Sequence, residues 1–177
     1  NALNSYITKV CATFGKYAEK KHVRFVYDSN FDYLNVWYDS DKMGSILKNI
    51  LSNALKYTPE GGSVHIYACE EGNSWSIEVR DTGIGIPSCE QKKLFKNYFR
   101  GSNVINLKVT GSGIGLMLVY KLVKLHKGRI QIQSTEHQGT CVQITFPKGN
   151  SNLHKANFIS PKTLDELPET IIPSKDT

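Results

Sequence analysis

No C-x-x-C pair occurs in this chain, and no histidine stands at ligand spacing from its four cysteines, Cys11, Cys69, Cys89 and Cys141. That absence excludes the usual zinc frameworks, and the scatter of the four offers no disulfide scaffold, so reduced thiols in a cytosolic setting are expected. No apolar stretch approaches the roughly 18 residues needed to span a bilayer, and no basic start leads into an early apolar run. With Asn rather than Met in first position, the chain reads as an excised soluble fragment. Internal repeats and low-complexity tracts are missing too. Charge of one sign is modest: 22 Lys and Arg against 16 Asp and Glu leave +6 over 177 residues. Such a balance describes a solvated surface better than a nucleic-acid footprint. Most of the excess is nevertheless local, because Lys92, Lys93, Lys96, Arg100 and Lys108 face only Glu90 between residues 88 and 110. A polyanionic ligand nearby would explain that concentration.

The length suits one domain with a real core. Leu3, Ile7, Val10, Phe14 and Ala18 recur at helical spacing over residues 3–20. Val23–Tyr27 and Leu34–Tyr38 are rich in β-branched and aromatic residues around turn-forming Asp28-Ser29-Asn30, which predicts an antiparallel hairpin. Asp39 or Ser40 can cap a second helix through about Tyr57, ended by Thr58-Pro59-Glu60-Gly61-Gly62. Val64–Cys69 and Trp75–Arg80 alternate as a further hairpin. Residues 87–112 carry only a short helical stretch near 89–97 and suit a lid. Ile114, Leu116, Leu118, Val119, Leu122 and Val123 predict a buried helix up to Lys127-Gly128, followed by strands at Arg129–Ser134 and Thr140–Phe146. Beyond Pro147 the prolines 161, 168 and 173 interrupt a polar tail without a core face, so residues 149–177 are expected to be a linker or flexible tail.

Four signals follow one another in fixed order. On the second helix Asn49, Asn53 and Lys56 fall within an arc of roughly 60°, opposite Met43, Ile46, Leu47, Ile50, Leu51 and Ala54. A magnesium ion keeps several waters and needs only one or two protein oxygens, and the Asn53 carbonyl can supply one. Asp81 then ends a strand and enters Thr82-Gly83-Ile84-Gly85-Ile86-Pro87, where the glycines let backbone approach a ligand. A carboxylate there can accept from the exocyclic amine of adenine and rejects the carbonyl of guanine. Next, Phe95 and Phe99 stand four apart and can anchor a lid helix, leaving Arg100 to meet charge on phosphate. Last, Gly111, Gly113 and Gly115 precede an apolar helix whose N–H groups can form an anion nest. The spacing matches neither G-x-x-x-x-G-K-[ST] nor G-x-G-x-x-G.

Asn49–Tyr57, Asp81–Pro87, Phe95–Arg100 and Thr110–Leu116 resemble the N box, first glycine box, F box and second glycine box of the catalytic domain of sensor histidine kinases. That family shares a superfamily with gyrase, the heat-shock chaperone ATPases and the mismatch-repair ATPases. The resemblance covers residues 1–148, including the closing Gly139–Pro147. It implies an α/β two-layer sandwich, a mixed sheet backed by about three helices, with an ATP lid. It also implies ATP and Mg²⁺ as ligands, Asn53 on the metal, Lys56 on phosphate, Tyr57 on adenine, and Thr140 supporting Asp81 or adenine through its hydroxyl. The remaining box members, Ile86, Ser112, Ile114 and Leu116, belong to the same nucleotide set. Related ATPases carry a Glu four residues before the metal Asn, where this chain has Asn49, so fast hydrolysis is disfavoured and phosphate is kept for another acceptor. The implied partners are an upstream dimerisation domain bearing the acceptor histidine and a receiver domain, in cis or in trans, within a homodimeric protein whose cytosolic part this would be. A clamp ATPase and a non-catalytic ATP-binding assembly module are the alternatives.

Overall fold

A computed structural model describes residues 2–95 and 113–148. Phe99, Arg100, Gly111, Ser112, most of the expected lid and the 149–177 tail lie outside the described residues. The elements in chain order are α1 (Leu3–Lys20), β1 (Arg24–Ser29), α2 (Ser40–Tyr57), β2 (Ser63–Glu71), β3 (Ser74–Asp81), α3 (Ser88–Gln91), α4 (Gly115–Leu125), β4 (Arg129–Thr135) and β5 (Gly139–Pro147). They form a two-layer α/β sandwich.

Five strands make one sheet in the order β1-β2-β3-β5-β4. The first pair is parallel and the rest antiparallel, so the sheet is mixed. Alternation puts Val64, Ile66 and Ala68 of β2, Trp75, Ile77 and Val79 of β3, and Ile144 and Phe146 of β5 on one face, all buried. Against that face lie Leu3, Ile7, Val10 and Ala18 of α1 and Met43, Ile46, Leu47, Ile50, Leu51, Ala54 and Leu55 of α2. Trp75 anchors one end of the layer between Phe146 (centroids 4.7 Å apart) and Tyr38 (6.5 Å).

The expected hairpin of residues 23–27 with 34–38 does not form. β1 instead pairs in parallel with β2, and residues 34–38 make a single bridge, Asn35 to Ala2. Leu34, Val36 and Tyr38 do bury alternately, which explains the strand-like pattern. They join the buried core as the chain crosses from β1 into α2, and β2, reached by the βαβ connection through α2, takes the place beside β1. Helix α4 also departs from expectation. Only Val119 and Val123 are buried, while Leu118 and Leu125 are exposed, so α4 has one buried face rather than being enclosed. Of the short helix expected near 89–97, α3 covers four residues and turns follow.

Both ends of α2 are held by side chains. Asp39 accepts from the Lys42 N–H at 3.0 Å at the N-terminus. At the C-terminus Lys21 Nζ donates to the carbonyls of Leu55 (2.5 Å) and Lys56 (3.0 Å), and Thr58 Oγ1 donates to Ala54 (2.7 Å). The helix that carries Asn49, Asn53 and Lys56 is thereby fixed against its neighbours.

Gly139 opens β5 at φ +114°, and a Cβ there would lie 1.9 Å from the Asp81 carbonyl oxygen. Gly139→Ala should therefore cost about 2–5 kcal/mol, combining the unfavourable backbone region with overpacking. Urea unfolding checks this; an unchanged midpoint would show that the β3–β5 junction yields freely.

Candidate functional site

The site grows from the end of β3. Asp81 continues the buried row Trp75, Ile77, Val79, so its carboxylate enters the helix-facing layer, where it is 8% exposed. Its Oδ1 accepts from the Gly83 N–H (2.9 Å) and the Thr140 N–H (3.2 Å). Oδ2 makes no hydrogen bond among the described residues. Burial pushes the Asp81 carboxyl up to about 6, against the downward pull of those two N–H donors.

After Asp81 the backbone folds tightly against its surroundings. The Ile84 N–H donates to the Tyr57 carbonyl at 3.2 Å. A Cβ on Gly83 would stand 2.5 Å from that same oxygen, and one on Gly85 (φ +65°) would stand 2.0 Å from the Thr135 carbonyl. Among the described residues, the missing side chains of Gly83 and Gly85 admit neighbouring backbone, which sets the path of the loop. Thr140 meets Asp81 through its main chain. Its backbone N–H, not its hydroxyl, supports Asp81, and its Oγ1 lies 2.9 Å from Ser134 Oγ.

Ser134 was not among the residues singled out from sequence, yet it joins three segments. Its Oγ accepts from the Ile86 N–H (2.9 Å) and donates to the Gly139 carbonyl (2.9 Å). Gln91 of α3 adds two bonds from Nε2, to the carbonyls of Ile86 (3.2 Å) and Ser134 (2.8 Å). The signal available in sequence was a serine at the inward position after Ile130 and Ile132, where an apolar residue would continue the pattern.

On α2, Asn49, Asn53, Lys56 and Tyr57 are all half-buried. Asn49 Nδ2 donates to the Ser45 carbonyl at 2.7 Å. Its Oδ1 faces the start of α4, 2.6 Å from where a Cβ on Gly115 would sit, so the missing side chain at Gly115 lets the two helices meet there. Asn53 makes no side-chain hydrogen bond among the described residues. Lys56 Nζ lies 4.9 Å from the Tyr57 ring centroid. From the second glycine box the structure describes Gly113 (φ +71°), Ile114, Gly115 and Leu116, and among the described residues no side chain caps the first turn of α4. Phe95 packs on Tyr120 of α4, centroids 4.9 Å apart. The structure thus brings Asn49 to Gly115, Asp81 to Thr140, Tyr57 to Gly83 and Phe95 to α4.

These groups fit a magnesium-bound purine nucleotide in their chemistry. A buried carboxylate offers an acceptor, the Asn53 amide a hard oxygen, Lys56 a cation, and the uncapped α4 terminus N–H donors. Among the described residues no cluster of His, Cys, Asp and Glu could hold a metal by protein ligands alone.

The folded carboxyl of Asp81 titrates at about 6, above its ordinary 3.8. Its contribution to stability is therefore present below about pH 4 and is lost as pH rises through 6, amounting to about 3 kcal/mol of destabilisation at pH 8. Asp81→Asn should raise the urea midpoint of the free chain at pH 8 and lose that advantage at pH 4. An equal difference at both values would show that the carboxylate is not desolvated.

Residues 38–150 match the family model described as histidine kinase-, DNA gyrase B-, and HSP90-like ATPase. Over 131 residues the chain is 39% identical to the sensor histidine kinase WalK of Bacillus subtilis (strain 168), covering 73% of this chain and 21% of WalK. It is 41% identical over 110 residues to the circadian input-output histidine kinase CikA of Synechococcus elongatus, covering 62% of this chain and 15% of CikA. The chain therefore spans about a fifth or less of these two relatives. The nucleotide-free catalytic domain of histidine kinase ThkA superimposes with a TM-score of 0.73 at 26% identity, over 84% of this chain and 93% of that one. The mixed five-stranded sheet backed by helices agrees with these matches, and the chain belongs to the histidine kinase-, DNA gyrase B- and HSP90-like ATPase family.

Proposed function

We propose that residues 1–148 form the ATP-binding catalytic domain of a sensor histidine kinase, which binds magnesium ATP and passes the γ-phosphoryl group to a histidine on a separate helical-hairpin domain. One observation carries the choice of transfer over hydrolysis. Position 49, one helical turn before Asn53, is an amide whose nitrogen is committed to the Ser45 carbonyl, so the site has no general base at that point.

When bound, ATP supplies the phosphoryl group and magnesium neutralises charge on its oxygens. Asp81 would accept from the exocyclic amine of adenine, and Tyr57 would pack on the ring. Asn53 would give its carbonyl oxygen to magnesium, with Asn49 beside it. Lys56 and the N–H groups of Gly113, Gly115 and their neighbours would hold phosphate. Ile86, Ile114, Leu116 and Thr140 would complete the walls of the site. Phe95 would seat the lid against α4. Phe99, Arg100, Gly111 and Ser112, outside the described residues, would supply the rest of that cover and a cation for the phosphoryl group. The protein's part is positioning and charge stabilisation, with the attacking imidazole coming from the partner.

The upstream partner would be the dimerisation domain carrying the acceptor histidine, in a homodimeric protein on the cytoplasmic side of a membrane. ThkA is known in complex with the response regulator protein TrrA, which supports a receiver domain as the next acceptor, in cis or in trans. Residues 149–177 would then serve as a linker.

Incubating the chain and labelled ATP with its upstream hairpin should place acid-labile phosphate on the hairpin, with little free phosphate released. Rapid phosphate release without transfer would favour a clamp ATPase instead. Asn49→Glu should bring a measurable but incomplete gain of hydrolysis, because a base also needs an aligned water; no gain would remove the support drawn from Asn49. Asn53→Ala should abolish magnesium-dependent transfer while sparing part of the metal-free nucleotide affinity. Equal loss with and without magnesium would contradict a metal role for Asn53.

A further inference from the structure

Ser134 lies opposite Thr140 in the β4–β5 ladder, and Thr140 lies opposite Asp81 in the β5–β3 ladder. Residues opposite one another share a face with Cβ atoms about 4.5–5.5 Å apart. Three polar side chains therefore form a row across three strands, on the face that otherwise carries Ile132, Val142 and Val79.

Proton positions in this row follow by elimination. A serine hydroxyl has one proton to give and two lone pairs. Ser134 Oγ has three partners, each at 2.9 Å: the Ile86 N–H, the Gly139 carbonyl and Thr140 Oγ1. The carbonyl can only accept, so the Ser134 proton goes to Gly139. The Ile86 amide can only donate and occupies one lone pair. What remains toward Thr140 is a lone pair, so the Thr140 hydroxyl donates to Ser134. Its own oxygen then has only acceptor capacity left. Gln91 holds the arrangement by bonding the carbonyls of both Ser134 and Ile86.

We infer that Ser134 is a specificity-determining residue that acts through Thr140, by committing the Thr140 proton so that Thr140 and Asp81 present only acceptors to the edge of a bound base. The inference rests on the proposed nucleotide site around Asp81. A base with an exocyclic amine has two N–H donors to offer such a pair. A base with a carbonyl at that position sets a further acceptor against those two, with no proton between that carbonyl and either of them. With the Ser134 oxygen removed, the Thr140 hydroxyl is free to turn and donate to that carbonyl. Discrimination then falls through a gain by the wrong nucleotide, which a general loosening of the site does not produce.

Calorimetry with ATP and with inosine triphosphate, which carries a carbonyl in place of the amine, tests this on the same chain. Ser134→Ala should lower ATP affinity by about three- to tenfold, the scale of one hydrogen bond, and raise inosine triphosphate affinity. Ser134→Thr, which keeps the hydroxyl, should restore the wild-type ratio. Equal loss for both nucleotides, or no change in the ratio, overturns the role of Ser134. Asp81→Asn separates the two levels of inference. A ratio unchanged in Asp81→Asn defeats the nucleotide site itself, whereas a ratio narrowed there but not in Ser134→Ala defeats only Ser134. Should Ser134→Ala fail to fold, Thr140→Val removes the hydroxyl through which Ser134 acts and should narrow the ratio; an unchanged ratio in that variant is equally fatal.

Discussion

The register between β3 and β5, which sets Asp81 opposite Thr140, is the constraint on which the rest of the site depends. Side chains alternate along a strand, so a slip of one residue would turn Asp81 to the solvent side together with Trp75, Ile77 and Val79. Three large hydrophobes thus hold one carboxylate in the buried layer. Once there, Asp81 has its Oδ1 satisfied by two backbone donors, one local and one from the neighbouring strand. Its other oxygen makes no hydrogen bond among the described residues.

A buried acceptor of this kind opposes folding and favours binding for the same reason. Desolvation raises the carboxyl to about 6, which measures how poorly the folded chain tolerates the ionised form in the absence of a donor. A donor from a nucleotide base would relieve that strain, and the fixed Gly83 and Thr140 amides mean that little has to reorganise when it arrives. Glycine contributes by geometry rather than by flexibility. Gly85 and Gly139 sit where any Cβ would strike a carbonyl at about 2 Å, so the loop after β3 packs against the β4–β5 turn in one way.

The opposite wall follows a similar logic. Helix α2 is held at its C-terminal carbonyls by Lys21 and at its N-terminus by Asp39, which leaves Asn49 and Asn53 at fixed heights along the site. Gly115 admits Asn49 to the start of α4. Helix α4 buries Val119 and Val123 and packs Leu122 against the core, which leaves Leu118 and Leu125 exposed, and the ring of Phe95 packs on Tyr120.

Much of this was legible in the sequence, because local pattern is enough to place a strand end, a helix face and a capping residue. The helix-spaced row Met43, Ile46, Leu47, Ile50, Leu51 and Ala54 is the face that buries, and the strand expected through Arg80 does end at Asp81, whose inward position continues the row of Ile77 and Val79. Tertiary structure decided what periodicity cannot carry. The alternation at Leu34, Val36 and Tyr38 was real, but whether an alternating segment pairs with a strand or packs under helices depends on which partner occupies the edge of β1, and β2 does. The apolar run of α4 could not reveal that one side stays uncovered, since burial depends on what lies opposite. Ser134 escaped notice because its role needs three distant groups, the Ile86 amide, the Gly139 carbonyl and the Thr140 hydroxyl. The ladder and the β3–α3 loop bring them within 2.9 Å. Residue types and their order along the chain determined the chemistry on offer; the pairing of strands distant in sequence decided which oxygen faces which proton.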